Sequence, residues 1–330
     1  MDHIHSVITD AYILQHGFVF RDGFCFTAGS QSNIYDALVI KNPLNCTRWS
    51  PKKPSSSRTL SEHIELIQQY ALDRAVIIAD DFTFLKQCPS LRYITLYIGD
   101  EAEDHVDLSS LYDMPHIECL RCRLMYGGSK EAKRTTLDCS KIQGLRQLVA
   151  DGPGFTGYGQ IPTMECLKII EDHLHKDASN ISISNMMKKL SFQKCGIKTL
   201  NGLSGFSNLQ QLNLSNLRCL SDMSAIVTVA DSLRALSIEA CPKIVDFSFL
   251  NNLRNLEHLN LMGNNMLPNL EFINAMPRLK TFAFSMQVQD CDLTPCTNIP
   301  YVSVLKGKKR YNLKDSDLPK NMPSEPFVLR

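Results

Sequence analysis

The sequence predicts an α/β solenoid, a coil of similar turns that each add one strand to a shared parallel sheet. The first observation is a recurring apolar triplet: Met187/Leu190/Phe192, Leu209/Leu212/Leu214, Leu233/Leu236/Ile238, Leu256/Leu259/Leu261 and Leu279/Phe282/Phe284, at steps of 22, 24, 23 and 23 residues. A period of this size marks units that cannot bury their apolar face without neighbours. The second is alternation within each phrase: Leu259 and Leu261 point one way while His258, Asn260 and Met262 point the other, as a strand requires. The third is length with composition, since 330 residues at 44% apolar content give ample core, and repeats share that core without needing a domain boundary.

Residues 1–70 do not repeat. Short apolar runs at 11–14, 18–20, 24–26 and 37–40 are separated by turn residues at His16-Gly17, Asp22-Gly23 and Ala28-Gly29, which read as antiparallel hairpins and a β cap over the solenoid's open end. A polar, proline-bearing loop follows at 50–57, and Thr59 with Glu62 forms a capping box that opens a helix ending near Tyr70. The solenoid is expected over 71–290. A degenerate first strand lies near Val76, and weaker triplets start at Leu91, Ile117 and Leu145. An irregular excursion is expected at 151–186. Within it, Met164, Leu167 and Ile169 fit the repeat phrase 23 residues before Met187, but Met164, Leu167, Ile170 and Leu174 have helical spacing and a helix is the expectation, while the glycine-rich run 152–159 reads as a flexible connection. Residues 291–330 form a C-terminal cap, with strands at Tyr301–Leu305 and Arg310–Leu313 around a turn, and an irregular tail.

The ninth place of a repeat turns the corner out of the strand, where a polar side chain can satisfy backbone groups. Asn264, Cys241 and Cys195 fill it in three repeats, and Leu217 departs from the pattern in a fourth. With these residues in place the chain resembles the leucine-rich repeat family, most closely its short-repeat, internalin-like members, and residues 247–264 carry the resemblance best. The resemblance implies a horseshoe or arc with a concave parallel sheet, short helical or irregular segments on the convex side, and use in binding other proteins.

Charge is nearly balanced, 35 Lys plus Arg against 34 Asp plus Glu, so the electrostatic footprint of a general nucleic-acid or anionic-membrane binder is missing. The opening residues carry no signal-peptide pattern and no run reaches transmembrane length, which leads us to expect a cytoplasmic chain with reduced, buried cysteines. Candidate chemistry fails on geometry. Cys119 and Cys122 match a metal-pair spacing but fall on opposite faces of one strand. Cys291 and Cys296 lack a second ligand pair, and the glycine run 152–159 lacks a phosphate-loop ending. Asn201–Gly205 resembles a nucleophile turn without its final glycine in register. His173 and His175 stand roughly 200° apart on the expected helix, unsuited to one metal.

No metal, cofactor or catalytic residue is therefore expected. What remains is the outward face of the strands. Its fifth-place row from Ser191 through Asn213, Ser237 and Asn260 to Ala283 is small and polar, and a partner's backbone can come close there. The expected partner-binding residues are Tyr93, Tyr97, Arg121 and Arg123 as anchors, with Gln211, Asn213, Ser237, His258 and Asn260. The expected function is a noncatalytic scaffold, monomeric, binding a protein partner on its concave face. Two alternatives are an inhibitor or immunity-type protein that occludes an enzyme or toxin, and a hydrolase-like enzyme using Asp151, Glu171, Asp172, His173 and His175. A surface-displayed adhesion module is disfavoured by the absent signal and the thiol count.

Overall fold

The computed structural model describes residues 18–21, 24–27, 37–42, 58–98, 106–124, 135–181 and 185–323. The chain forms two compact units, 1–157 and 158–330. The run at 11–14, the turn at Asp22-Gly23 and the loop at 50–57 lie outside the described residues.

In the first unit, strands β1 (Phe18–Arg21) and β2 (Phe24–Thr27) pair antiparallel, as do β2 and β3 (Ala37–Asn42). Helix α1 (Leu60–Tyr70) starts where the capping box puts it: the Thr59 hydroxyl accepts from Glu62 N, and Thr59 N donates back to the Glu62 carboxylate. It stops at Ala71, which takes a left-handed φ of 47°. From β3 onward pairing is parallel, through β4 (Arg74–Ala79), β5 (Tyr93–Ile98), β6 (Cys119–Arg123) and β8 (Gln147–Asp151). Ile94, Leu120 and Leu148 stand in register and are buried, so the weak triplets at 91, 117 and 145 are repeats despite their irregular lengths.

The run 152–159 is a packed crossing and not a loose connection. It contains β9 (Phe155–Thr156), which pairs parallel with β7 (Leu137–Asp138). Gly157 has φ +69°, and a Cβ there would stand 2.2 Å from Asp138 Oδ1. Glycine lets two segments approach at that point, which composition alone reads as flexibility.

The second unit has main-sheet order β10 (Cys166–Ile170), β11 (Lys189–Gln193), β12 (Gln211–Ser215), β13 (Ala235–Glu239), β14 (His258–Met262), β16 (Thr281–Phe284) and β18 (Tyr301–Val304), all parallel. A two-strand ladder of β15 (Met266–Leu267) and β17 (Gln287–Val288) lies apart from it. Leu190, Leu212, Leu236, Leu259, Phe282 and Val302 are register partners in turn and all buried, forming one inward column. The entry to each strand is pinned in a repeating way. Gln210 N and Gln211 N both donate to Lys188 O, Arg234 N and Ala235 N to Gln210 O, and Glu257 N and His258 N to Arg234 O.

Most crossovers hold a short 3-10 turn, and several of these are opened by an Asx turn. Asp222 Oδ1 accepts from Ser224 N at 2.9 Å, Asp246 from Ser248 at 2.8 Å and Asp292 from Thr294 at 2.9 Å, with the same device at Asp81, Asp107 and Asp138 in the first unit.

Three further expectations are corrected. Residues 166–170 are the strand β10, with Leu167 opposite Leu190, and no helix spans Met164–Leu174. The helical spacing misleads because Leu174 is exposed while Ile169, off the supposed helical stripe, is buried. Arg310–Leu313 is not a strand. The Tyr311 hydroxyl accepts from Val288 N, and the Asn312 side chain bonds Leu293 N, Asp292 and Thr294, so both side chains serve the adjoining loops. The bridge at the end is instead made by Lys320 opposite Tyr301.

The corner asparagine is the third. Asn264 is exposed, and Asn265 donates to Cys241 O at 3.0 Å and Ile244 O at 2.8 Å. Gly263, at φ +150°, adds one residue before the corner and shifts the register. Cys195 and Cys241 do sit at corners, each thiol within hydrogen-bond reach of two carbonyls that share its one S–H. Asn265→Ala strands two carbonyls and is expected to cost about 1–3 kcal/mol in urea unfolding, while Asn264→Ala changes stability by less than about 0.5 kcal/mol. Equal losses would show that the corner is not held by Asn265.

Candidate functional site

The alternation that buries the Leu212–Phe282 column turns the third, fifth and seventh places of each strand to the opposite face. In the second unit this face carries a shallow cavity of about 370 Å³ lined by Gln211, Asn213, Ala235, Ser237, His258 and Asn260, with Thr281 and Ala283 at its far edge. All five residues expected here from the sequence line that one cavity. The floor is kept low by Ala235, Ser237 and Ala283, where larger side chains would fill it.

The polar groups are organised in pairs along the rungs. Asn213 Nδ2 donates to Ser191 Oγ at 3.1 Å and accepts at Oδ1 from Gln211 Nε2 at 3.2 Å. Asn260 Nδ2 donates to Ser237 Oγ at 3.0 Å, but its Oδ1 is buried without a hydrogen-bond partner. His258 Nδ1 lies 2.8 Å from Thr281 Oγ1. Burial lowers the His258 pKa below its ordinary value, with Lys280 acting the same way against the opposing Glu257, so the ring is neutral at pH 7. The cavity is thus uncharged, rich in amides and hydroxyls, and suited to hydrogen bonding.

The four anchors expected in the first unit fare differently. Tyr97 and Arg121 retain only 4% and 5% of their surface, which removes them as contact residues. Tyr97 packs against Ile78 and Val76 on the face where it was expected to stand free. Tyr93 is half-buried: its hydroxyl donates to Glu118 Oε2 at 3.2 Å and the Arg74 guanidinium lies 4.9 Å from its ring centre. Arg123 keeps an accessible side chain, with its Nε 3.5 Å from Asp151 Oδ2.

The ionisable cluster at 158–175 is a corner lock. Asp172 occupies the ninth place counted from Met164. Its Oδ1 accepts from Leu174 N at 2.8 Å, and its Oδ2 lies 2.5 Å from His175 Nδ1 and accepts from the Tyr158 hydroxyl at 3.0 Å. Burial alone would raise the Asp172 pKa, but these donors together hold it below the ordinary aspartate value. His173 takes no part in this cluster, and among the described residues no group of three His, Cys, Asp or Glu side chains is placed to hold a metal.

The ten cysteines whose side chains are described are free, and seven of them are buried. Burial pushes the thiol pKa up to about 11 in Cys88, Cys195 and Cys241 and to about 12 in Cys139 and Cys296. These thiols stay protonated and serve as small core groups. No helix among the described residues is long and apolar enough to cross a membrane.

With this geometry in view, comparison with known proteins gives a consistent class. The family model for the leucine-rich repeat domain of the endo-beta-N-acetylglucosaminidase EndoS matches residues 168–287. Among solved structures, an internalin (inlF) from Listeria monocytogenes superposes with a TM-score of 0.51 at 15% identity, covering 71% of this chain and 67% of that one. The Toll–Spatzle complex from Drosophila gives 0.49 at 13% identity, with 70% of this chain and only 36% of that one covered. A second Listeria monocytogenes internalin (inlC2) gives 0.39 at 18% identity, covering 54% and 74%. Among curated sequences there is no significant match. The stacked parallel strands, with the domain match over residues 168–287, show a leucine-rich repeat fold. The likeness to the internalin (inlF), at 15% identity, is one of fold.

Because the folded-state pKa of Asp172 is depressed, its contribution to stability is full above the unfolded value near 3.8 and is lost as pH falls through the lower folded value. Acid unfolding of Asp172→Asn is therefore expected to be less steep below about pH 4 than that of the unaltered chain, although the variant is less stable at pH 7. Parallel acid-unfolding curves would remove the lock.

Proposed function

We propose that this chain is a noncatalytic interaction protein that engages a protein partner on the polar strand face of residues 158–330. The observation that carries the reading is the amide-lined cavity on β12 to β16, where small residues hold the floor low beside the donors and acceptors of Gln211, Asn213, Ser237, His258 and Asn260. A side-chain array of this kind can bond an approaching main chain, whose N–H and C=O groups require partners once desolvated. The regular backbone pinning beneath it makes the array rigid, so little ordering entropy opposes binding.

Of the ionisable groups expected to support hydrolysis, Asp172 and His175 are consumed in the corner, Glu171 pairs with Lys194 and Asp151 with Arg123, which favours the interaction reading over an enzymatic one. Free, protonated core thiols support residence in a reducing compartment, and we propose the cytoplasm.

The test compares partner capture from source cells by three full-length chains: unaltered, Ser237→Arg and Val245→Arg. Ser237→Arg fills the cavity, whereas Val245 is 80% exposed and away from it. Partners lost with Ser237→Arg and kept with Val245→Arg, at equal thermal stability, are the expected outcome. Identical recovery by all three chains would overturn the proposal.

A further inference from the structure

Among the described residues, Lys189 on this face has no carboxylate partner. Lys189 begins β11 and faces outward, since its neighbour Leu190 enters the core. The adjacent lysines are neutralised: Lys188 Nζ lies 3.8 Å from Glu165 Oε2 and Lys194 Nζ lies 3.0 Å from Glu171 Oε1. Lys189 is half-buried, and among the described residues no carboxylate pairs with it. Burial penalises its charged form and lowers its pKa, with only a weak opposing effect from Cys166. An ammonium withdrawn from water without a counter-charge costs stability that a neutral side chain would not, and a bound anion relieves that cost.

Its place in the register points to where that anion comes from. Lys189 is the direct partner of Gln211, and Gln211 lines the cavity. Neighbouring strands lie about 4.8 Å apart, so the ammonium borders the cavity's β12 edge. Gln211 Nε2 spends one N–H on Asn213 Oδ1 and keeps a second. An ammonium and a primary amide side by side match a carboxylate's two oxygens. The cavity lining itself is neutral as far as Ala283, because His258 is held uncharged, and Glu239 at the seventh place of β13 lies outside that lining.

We propose that Lys189 and Gln211 form a carboxylate-binding end of the cavity, where the protein partner presents an acidic side chain while the adjoining segment crosses the Asn213, Ser237 and Asn260 rungs in extended form. This rests on the concave-face reading above. Four rungs from Lys189 to Thr281 span about 19 Å, which about six extended residues cover at roughly 3.3 Å each. The occupant is therefore a short extended segment with Asp or Glu at one end.

The test uses a random dodecapeptide phage library selected on the immobilised full-length chain. Selected peptides are then synthesised and titrated against the unaltered chain, Lys189→Met, Lys189→Arg and Ser237→Arg. Lys189→Met keeps the length and buried stem, so folding is preserved, and thermal unfolding verifies it. The expected result is enrichment of Asp or Glu at one position, about tenfold weaker binding to Lys189→Met, partial retention in Lys189→Arg, and loss in Ser237→Arg. Raising salt should weaken binding to the unaltered chain more than to Lys189→Met.

Peptides that lack an acidic position, or that bind Lys189→Met as well as the unaltered chain yet are lost in Ser237→Arg, overturn the carboxylate end and leave the concave reading standing. Peptides indifferent to all three variants, or no enrichment over a blank surface, overturn both.

Discussion

The structure of residues 158–330 depends on one constraint, the register that stacks Leu190, Leu212, Leu236, Leu259, Phe282 and Val302 in a single column. Because side chains alternate along a strand, fixing the column also fixes which residues stand on the opposite face. A slip of one residue would send Asn213 and Asn260 into the core and Leu212 and Leu259 to solvent. Two forces oppose that slip. One is apolar burial, at about 25 cal/mol per Å² of surface removed from water. The other is the paired donation of two consecutive N–H groups to one carbonyl at each strand entry, which is geometrically incompatible with the shifted pairing. The cavity is the outward side of the same constraint.

Much of this was legible in the sequence because the inward column repeats at nearly constant steps, and five outward residues followed from alternation alone. What escaped has physical causes. Residues 164–174 admit both patterns, since Met164 and Leu167 belong to either while Ile169 completes the repeat triplet and Ile170 and Leu174 the helical stripe, and only pairing with β11 decides between them. Asn264 had the ninth place by count, but Gly263 moves the corner on by one, and a glycine at that position was the signal for it. Tyr97 was expected to be free because alternation puts it outward. The unbroken apolar run from Val76 to Ala79 indicates a strand buried on both faces, and Tyr97 packs against Ile78. The Asp-x-Ser/Thr pattern opening the convex turns at Asp81, Asp107, Asp222, Asp246 and Asp292 is a second repeat signal as readable as the leucines.

Polar groups in this fold divide by where they point. Those at the corners, Asp172, Cys195, Cys241 and Asn265, are turned into the coil and spent on backbone groups, and their substitution is a matter of stability. Those on the strand face bond one another sideways and keep hydrogen-bonding capacity for a visitor, as with the second N–H of Gln211. Lys189 belongs with the latter, half-buried and, among the described residues, without the carboxylate that Lys188 and Lys194 each have.

The most direct measurement of the central claim is a crystallographic determination of the full chain at side-chain resolution. The account predicts Leu212, Leu236, Leu259 and Phe282 as register partners in one buried column, with Asn213, Ser237 and Asn260 aligned on the opposite face. Electron density placing any of those three polar residues inside the coil, or pairing β12 to β14 one residue out of step, would contradict it.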